Sequence, residues 1–127
     1  MPVYRNKHGN PHRLDGPAVT WEDGSTEWWV NGERHRADGP ALIYANGAQV
    51  WCIHGQLHRT DGPARVLPNG DREWWINGDR HRLDGPAYTK ANGYEEWWFE
   101  GKQVDQLAHM LLVNQHNAQT QPQAAVL

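Results

Sequence analysis

From residue 4 to residue 101 the chain alternates short runs of β-forming side chains with pairs of turn residues. "PALIY" at 40–44 and "QVWCI" at 49–53 are separated by Asn46-Gly47 and followed by His54-Gly55, which is the pattern of two strands joined and succeeded by tight turns. The same order of events returns every 23 residues: "WWVNGERHRADGPA" begins at Trp28, "WCIHGQLHRTDGPA" at Trp51, "WWINGDRHRLDGPA" at Trp74 and a truncated "WWFEGKQ" at Trp97. His12, His35, His58 and His81 share one phase, Asp15, Asp38, Asp61 and Asp84 a second, and Gly32, Gly55, Gly78 and Gly101 a third. A constant period in this range marks an array in which one supersecondary unit stacks on the next.

Each unit carries two turns, one at Gly32, Gly55, Gly78 or Gly101 and one at Gly24, Gly47, Gly70 or Gly93. Asn-Gly and Asp-Gly supply the positive φ that tight hairpins require. Pro17, Pro40, Pro63 and Pro86 cannot donate to a ladder and are expected to open strands, with Asp-Gly-Pro-Ala forming a corner between units. The preceding aspartates are expected to be structural, closing the turn and bonding the nearby His or Arg. The fold class expected is mainly β, a repetitive antiparallel β-hairpin meander of roughly eight or nine strands with a C-terminal amphipathic helix.

Side chains at i and i+2 of a strand share a face. Trp28, Trp51, Trp74 and Trp97, with Val30, Ile53, Ile76 and Phe99, are therefore expected to form an interior row. Trp29, Cys52, Trp75 and Trp98 then point the other way beside Asn31, His54, Asn77 and Glu100, as the candidate working face. Beyond Gly101 the period breaks. Val104, Leu107, Ala108, Leu111 and Leu112 fall at i, i+3, i+4, i+7 and i+8, a helix with one apolar face. The expected organisation is an array over 1–101, a capping or docking helix over 102–116, and a flexible Gln-rich tail over 117–127. At the other end "YRNKHGNPH" reads as a half-unit whose Trp positions hold Arg5 and Asn6.

Composition narrows the partners. A net charge of −3 argues against nucleic-acid backbone binding as the main task, since that needs a surplus of Lys and Arg on one face. Cys52 is the single cysteine, so no intrachain disulfide can form and an oxidising compartment is not indicated. No segment approaches the ~20 apolar residues of a membrane span, and a cytoplasmic location is the default expectation. Tryptophan is the anomaly, eight residues against a single Phe.

The polar phases invite a chemical reading. Equivalent residues of adjacent units lie two strand spacings apart, ~9.6 Å, whereas zinc ligands each sit ~2 Å from the ion. One His and one Asp per unit are too few, and neither a metal nor a cofactor is expected. Catalysis is not expected either, because His, Arg and Asp are the same in all four copies and enzymes break symmetry to build one site. Cys52 lies two residues from His54, but a thiol on a strand is more often a small hydrophobe than a nucleophile. A third possibility is ligand capture. Arg36, Arg59 and Arg82, with Arg13 in the same phase and Trp75 nearby, offer guanidinium and indole groups for a nucleotide.

"WWVNGERH", an aromatic strand, an Asn-Gly turn and then His three residues after the Gly, resembles the MORN repeat. The other half-unit, His-Arg-x-Asp-Gly-Pro-Ala, departs from the usual His-Gly-x-Gly and is similar to the Trp-rich arrays of bacteriophage and large DNA viruses. The resemblance spans 4–101 and implies a non-catalytic scaffold that binds proteins, in a host cytoplasm if the chain is viral. The expectation is a protein partner, a host or defence factor, docked on Trp29, Trp75, Trp98, Cys52 and His54 and inhibited by that docking. A homo-oligomer formed through the C-terminal helix is a further expectation.

Overall fold

The computed structural model describes residues 2–120. It is a mainly β structure, an antiparallel hairpin meander of many short strands followed by one helix. Nine strands form one sheet in chain order, Val19–Thr20, Thr26–Glu27, Leu42–Ile43, Gln49–Val50, Arg65–Val66, Arg72–Glu73, Tyr88–Thr89, Glu95–Phe99 and Lys102–Val104, each antiparallel to its neighbour. Among the described residues the first and last of these strands do not pair with one another, so the sheet is open. Three two-stranded hairpins stand beside it: Trp29–Val30 with Glu33–Arg34, Cys52–Ile53 with Gln56–Leu57, and Trp75–Ile76 with Asp79–Arg80.

The units bend at Trp28, Trp51 and Trp74, the residues that interrupt these paired strands. Residues before each Trp pair with the sheet, and residues after it fold onto their own return. The inner turns need φ > 0 at both central positions, and the chain meets this with Asn31 (φ 49) and Gly32 (φ 81), His54 and Gly55, Asn77 and Gly78, and Glu100 and Gly101. Neighbouring inner hairpins are tied by backbone bonds. The Gly55 N–H donates to the Arg34 carbonyl (2.8 Å), Gly78 to Leu57 (2.9 Å) and Gly101 to Arg80 (3.0 Å).

No single core forms. Ala18, Ala41, Ala64 and Ala87, the last residues of the four corners, are each 0% exposed, and among the described residues no large side chain is fully buried. Methyl groups suffice there because the backbones approach closely: the amides of Trp28, Trp51 and Trp74 donate to the carbonyls of Ala41, Ala64 and Ala87 at 2.6–2.8 Å. Each unit therefore gets its stability mostly from contact with its neighbours, as in other linear arrays. The prolines precede the strands as expected, which begin two residues later at Val19, Leu42, Arg65 and Tyr88.

Both ends differ from expectation in register. The Tyr4 amide donates to the Ala18 carbonyl and the His12 amide to the Tyr4 carbonyl, the bonds that Trp28 makes with Ala41 and His35. Tyr4 thus takes the first Trp position in the half-unit, not Arg5, because this hairpin holds one more residue than the others. At the C-terminal end, Lys102–Val104 completes a further hairpin with Trp97–Phe99. The helix is Gln106–Thr120, not 102–116. Asp105 caps it, its carboxylate accepting from the Ala108 N–H at 2.7 Å, as an N-cap should. Of the tail expected over 117–127, residues 117–120 are helical and 121–127 lie outside the described residues.

Candidate functional site

The arginines of the repeats are built into the tiles. Arg36, Arg59 and Arg82 each lie 3.9 Å over the ring of Trp28, Trp51 or Trp74. Their Nε atoms donate to Asp38, Asp61 and Asp84 at 2.9–3.0 Å, and Nη1 donates to the carbonyls of Pro40, Pro63 and Pro86 at 3.0–3.1 Å. On the far side lies the corner glycine: a Cβ on Gly39, Gly62 or Gly85 would stand 2.8–3.0 Å from the guanidinium carbon. Arg13 repeats the arrangement over Tyr4 at 4.2 Å, and its hydrogen bond and charge hold the Asp15 carboxyl below the ordinary range. Each of these aspartates therefore accepts from the arginine two residues before it.

The histidines hold one unit to the next. Nδ1 of His12, His35, His58 and His81 accepts the amide N–H of Asn31, His54, Asn77 and Glu100, the first apex residue of the following inner turn, at 2.8–3.0 Å. A proton on Nδ1 would abolish that bond. Burial pushes His35 and His81 below the usual histidine pKa, aided by the nearby rings of His54 at the first and of His116 and His109 at the second. His54, expected on the working face, is exposed at its turn, 4.4 Å from the His35 ring and 3.7 Å from Glu33.

Neither tryptophan row is sealed and neither is bare; the rings of 28, 29, 51, 74, 75, 97 and 98 are all half-buried. In the second row Trp29, Trp75 and Trp98 donate their indole N–H to Glu27, Glu73 and Glu96 at 2.9–3.0 Å. Arg34 lies 5.1 Å over Trp29, and Arg80 lies 4.9–5.1 Å from the rings of Trp75, Tyr88 and Trp98. Buried Glu73 also receives Arg65 (2.6 Å) and Arg80 (2.9 Å). Burial opposes ionisation of Glu96, but Trp98, Tyr94, Arg80 and Lys90 together hold its carboxyl below the glutamate range.

Cys52 departs from its expected place on an open face. It is 3% exposed, within a small apolar cluster of Ala41, Leu42 and Val50 flanked by Trp28 and Leu57. Where the units at 27–34 and 73–80 set Glu, Trp and Arg together, this one sets Val50, Cys52 and Leu57, three smaller apolar groups that close over one another. Burial pushes its thiol pKa up, away from the thiolate that a nucleophile needs.

Open grooves lie on the side of the first row. One, of 530 Å³, runs between the corner 36–40 and residues 58–61, with Trp51 and Ile53 in its lining. The next, of 770 Å³, repeats it one unit on with 59–63, Trp74, Ile76 and 81–84. A third, of 680 Å³, takes Leu83, Asp84, Gly85 and Trp97 from the array and is walled by the helix. Asp61 and Asp84 thus stand between successive grooves. Trp51, Trp74 and Trp97, expected in an interior row, line these grooves.

The helix closes the series. Trp97 has no arginine eight residues on, and the His109 ring sits 5.0 Å from it instead, its Nε2 2.6 Å from the Arg82 carbonyl. His109 is 2% exposed, while Leu107 (64%), Met110 (50%) and Leu111 (59%) face outward. The face against the array is Ala108, His109, Leu112, Val113 and His116, not the Leu107 and Leu111 stripe expected. Among the described residues, no group of three or more His, Cys, Asp or Glu side chains could hold a metal ion, and no helix is long and apolar enough to cross a membrane.

Sequence reasoning missed the glutamates and the second set of arginines. Their signal is "EWW" at 27–29, 73–75 and 96–98, lost together with its Trp where Val50 precedes Trp51 and Cys52. Comparison of the chain with protein-family models, with curated proteins and with solved structures finds no match in any of the three.

Proposed function

We propose that the chain is a non-catalytic docking array for a partner protein, engaged along the grooves lined by Trp51, Trp74 and Trp97. The observation that carries this reading is recurrence: the same aromatic, apolar and acidic groups line one groove after another in register. An extended partner can meet equivalent contacts at each step, and several modest contacts add to a specific interface. The repeated His and Arg side chains are committed to holding the tiles together, which leaves them poorly suited to proton transfer. Resemblance to phage and viral arrays suggests that docking serves to inhibit a host or defence factor. Nucleotide capture draws less support, since each guanidinium already has an aspartate, a carbonyl and an indole.

The groove face is preferred over Trp29, Trp75 and Trp98 because the indole N–H groups of that second row are already bonded within the chain. Affinity capture from the native host, followed by mass spectrometry, tests the choice. Thr60→Arg with Leu83→Arg fills the grooves from their rims without touching a tryptophan, and is expected to abolish capture at an unchanged melting temperature. Trp75→Ala is expected to retain it. Capture that survives the rim substitutions and disappears with Trp75→Ala would move the site to the second row.

A further inference from the structure

Resting on the docking reading, we propose that the occupant of the grooves is a proline-rich segment in the polyproline II conformation with a cationic residue at every third position, advancing one turn per unit.

Spacing selects the conformation. Equivalent grooves are separated by two strands, ~9.6 Å. A polyproline II helix advances ~9.3 Å in its three-residue turn, so across the three grooves the mismatch stays below ~1 Å. An extended β-strand repeats a face every ~6.6–6.8 Å and is out of step after one groove. An α-helix returns the same face after seven residues, ~10.5 Å, and drifts about three times as fast as the polyproline form.

Surface chemistry selects the residues. Among the charged and polar side chains of the corners, each groove offers a flat or aliphatic strip, Trp51, Ile53 and Pro40 in the first, and aromatic-lined grooves receive proline rings with little loss of entropy. On the groove rims the Asp38, Asp61 and Asp84 side chains are 82–86% exposed, whereas Arg36, Arg59 and Arg82 beneath them are 20–25% exposed. Each rim therefore presents a carboxylate outward, on a chain whose net charge is −3. With three residues per turn, one side chain enters the groove, the next reaches the rim and the third faces solvent. The helix walls the last groove with Leu107 and Met110, giving the path a defined end suited to a larger apolar residue.

The test titrates the intact chain with acetylated (Pro-Pro-Arg)4 amide, read by tryptophan fluorescence and calorimetry. The comparison peptides are one with the same eight prolines and four arginines in two blocks, and (Pro-Pro-Glu)4. Saturable binding of the first, about tenfold or more tighter than either comparison and weakened by salt, is expected. Asp38→Asn and Asp61→Asn keep an oxygen for the Arg Nε–H, so the fold should persist while affinity falls severalfold. Equal binding of the block peptide, or no binding of (Pro-Pro-Arg)4 at millimolar concentration, overturns the proposal. If Thr60→Arg with Leu83→Arg still abolishes capture of the host partner in that case, the docking reading survives and only the polyproline assignment falls. If it does not, both fall.

Discussion

At the scale of single residues, glycine occupies the Asp-Gly-Pro corners because a guanidinium lies where its side chain would be. Gly62→Ala would place a methyl group 3.0 Å from Arg59 Cζ, and the arginine cannot retreat without leaving the Trp51 ring, Asp61 and the Pro63 carbonyl. The substitution is expected to cost about 1–2 kcal/mol in urea denaturation. In an Arg59→Ala background the same substitution should cost a few tenths of that, and an undiminished cost there would show that the conformation of the corner, not the arginine, requires glycine. The Arg-to-Asp bond was legible in the sequence because the partners are two residues apart. The stack was not, since only the folded hairpin returns an arginine to the tryptophan eight positions before it.

At the scale of the element, the Glu, Trp and Arg of the units at 27–34 and 73–80 and the Val50, Cys52 and Leu57 of the unit between them are two solutions to one packing problem. Cys52→Trp alone should overfill the cluster around Leu42 and cost about 1–3 kcal/mol. Adding Val50→Glu and Leu57→Arg supplies the carboxylate and guanidinium that the indole meets elsewhere, and should recover most of the loss in the same denaturation experiment. A triple variant no more stable than the single one would mean that the three positions do not act together. Alternation along the strands separated the two rows, but it assumed straight strands and so could not show that both are half-buried and that Trp51, Trp74 and Trp97 line grooves. The helix shows the same limit: its existence was legible from spacing, its buried face was not. A histidine, unremarked in the pattern, replaces the missing arginine over Trp97. His109→Ala should cost about 2–3 kcal/mol through the lost ring contact and the unpaired Arg82 carbonyl, while Leu107→Glu and Leu111→Glu should stay within about 0.5 kcal/mol of the parent.

At the scale of the whole molecule, stability is set by joints between units, and at His35 and His81 burial opposes protonation of the joint. Burial depresses His35 and His81 below the ordinary value of 6.5, so as pH falls the unfolded chain takes up protons before the native one. The stability that these rings contribute is complete above about pH 6.5 and is lost as pH drops toward their lower native values. Urea midpoints measured from pH 8 to pH 5.5 should fall toward acid, and His35→Gln with His81→Gln should flatten the slope. An unchanged slope in that variant would assign the acid sensitivity to other groups. The period of the sequence made the meander legible at this scale, because it fixes how many turns and strands each unit carries. Whether the sheet closes is not encoded in any spacing of residues; among the described residues its first and last strands do not pair.

The bonds of His12, His35, His58 and His81 run one way, from the return of one hairpin to the apex of the next, and the backbone ties at Gly55, Gly78 and Gly101 do the same. A duplicated 23-residue block inserted between existing ones would find its sockets ready on both sides. The molecule is a ruler that genetic duplication can lengthen by whole divisions, so the length of target it measures can change without redesign of any joint.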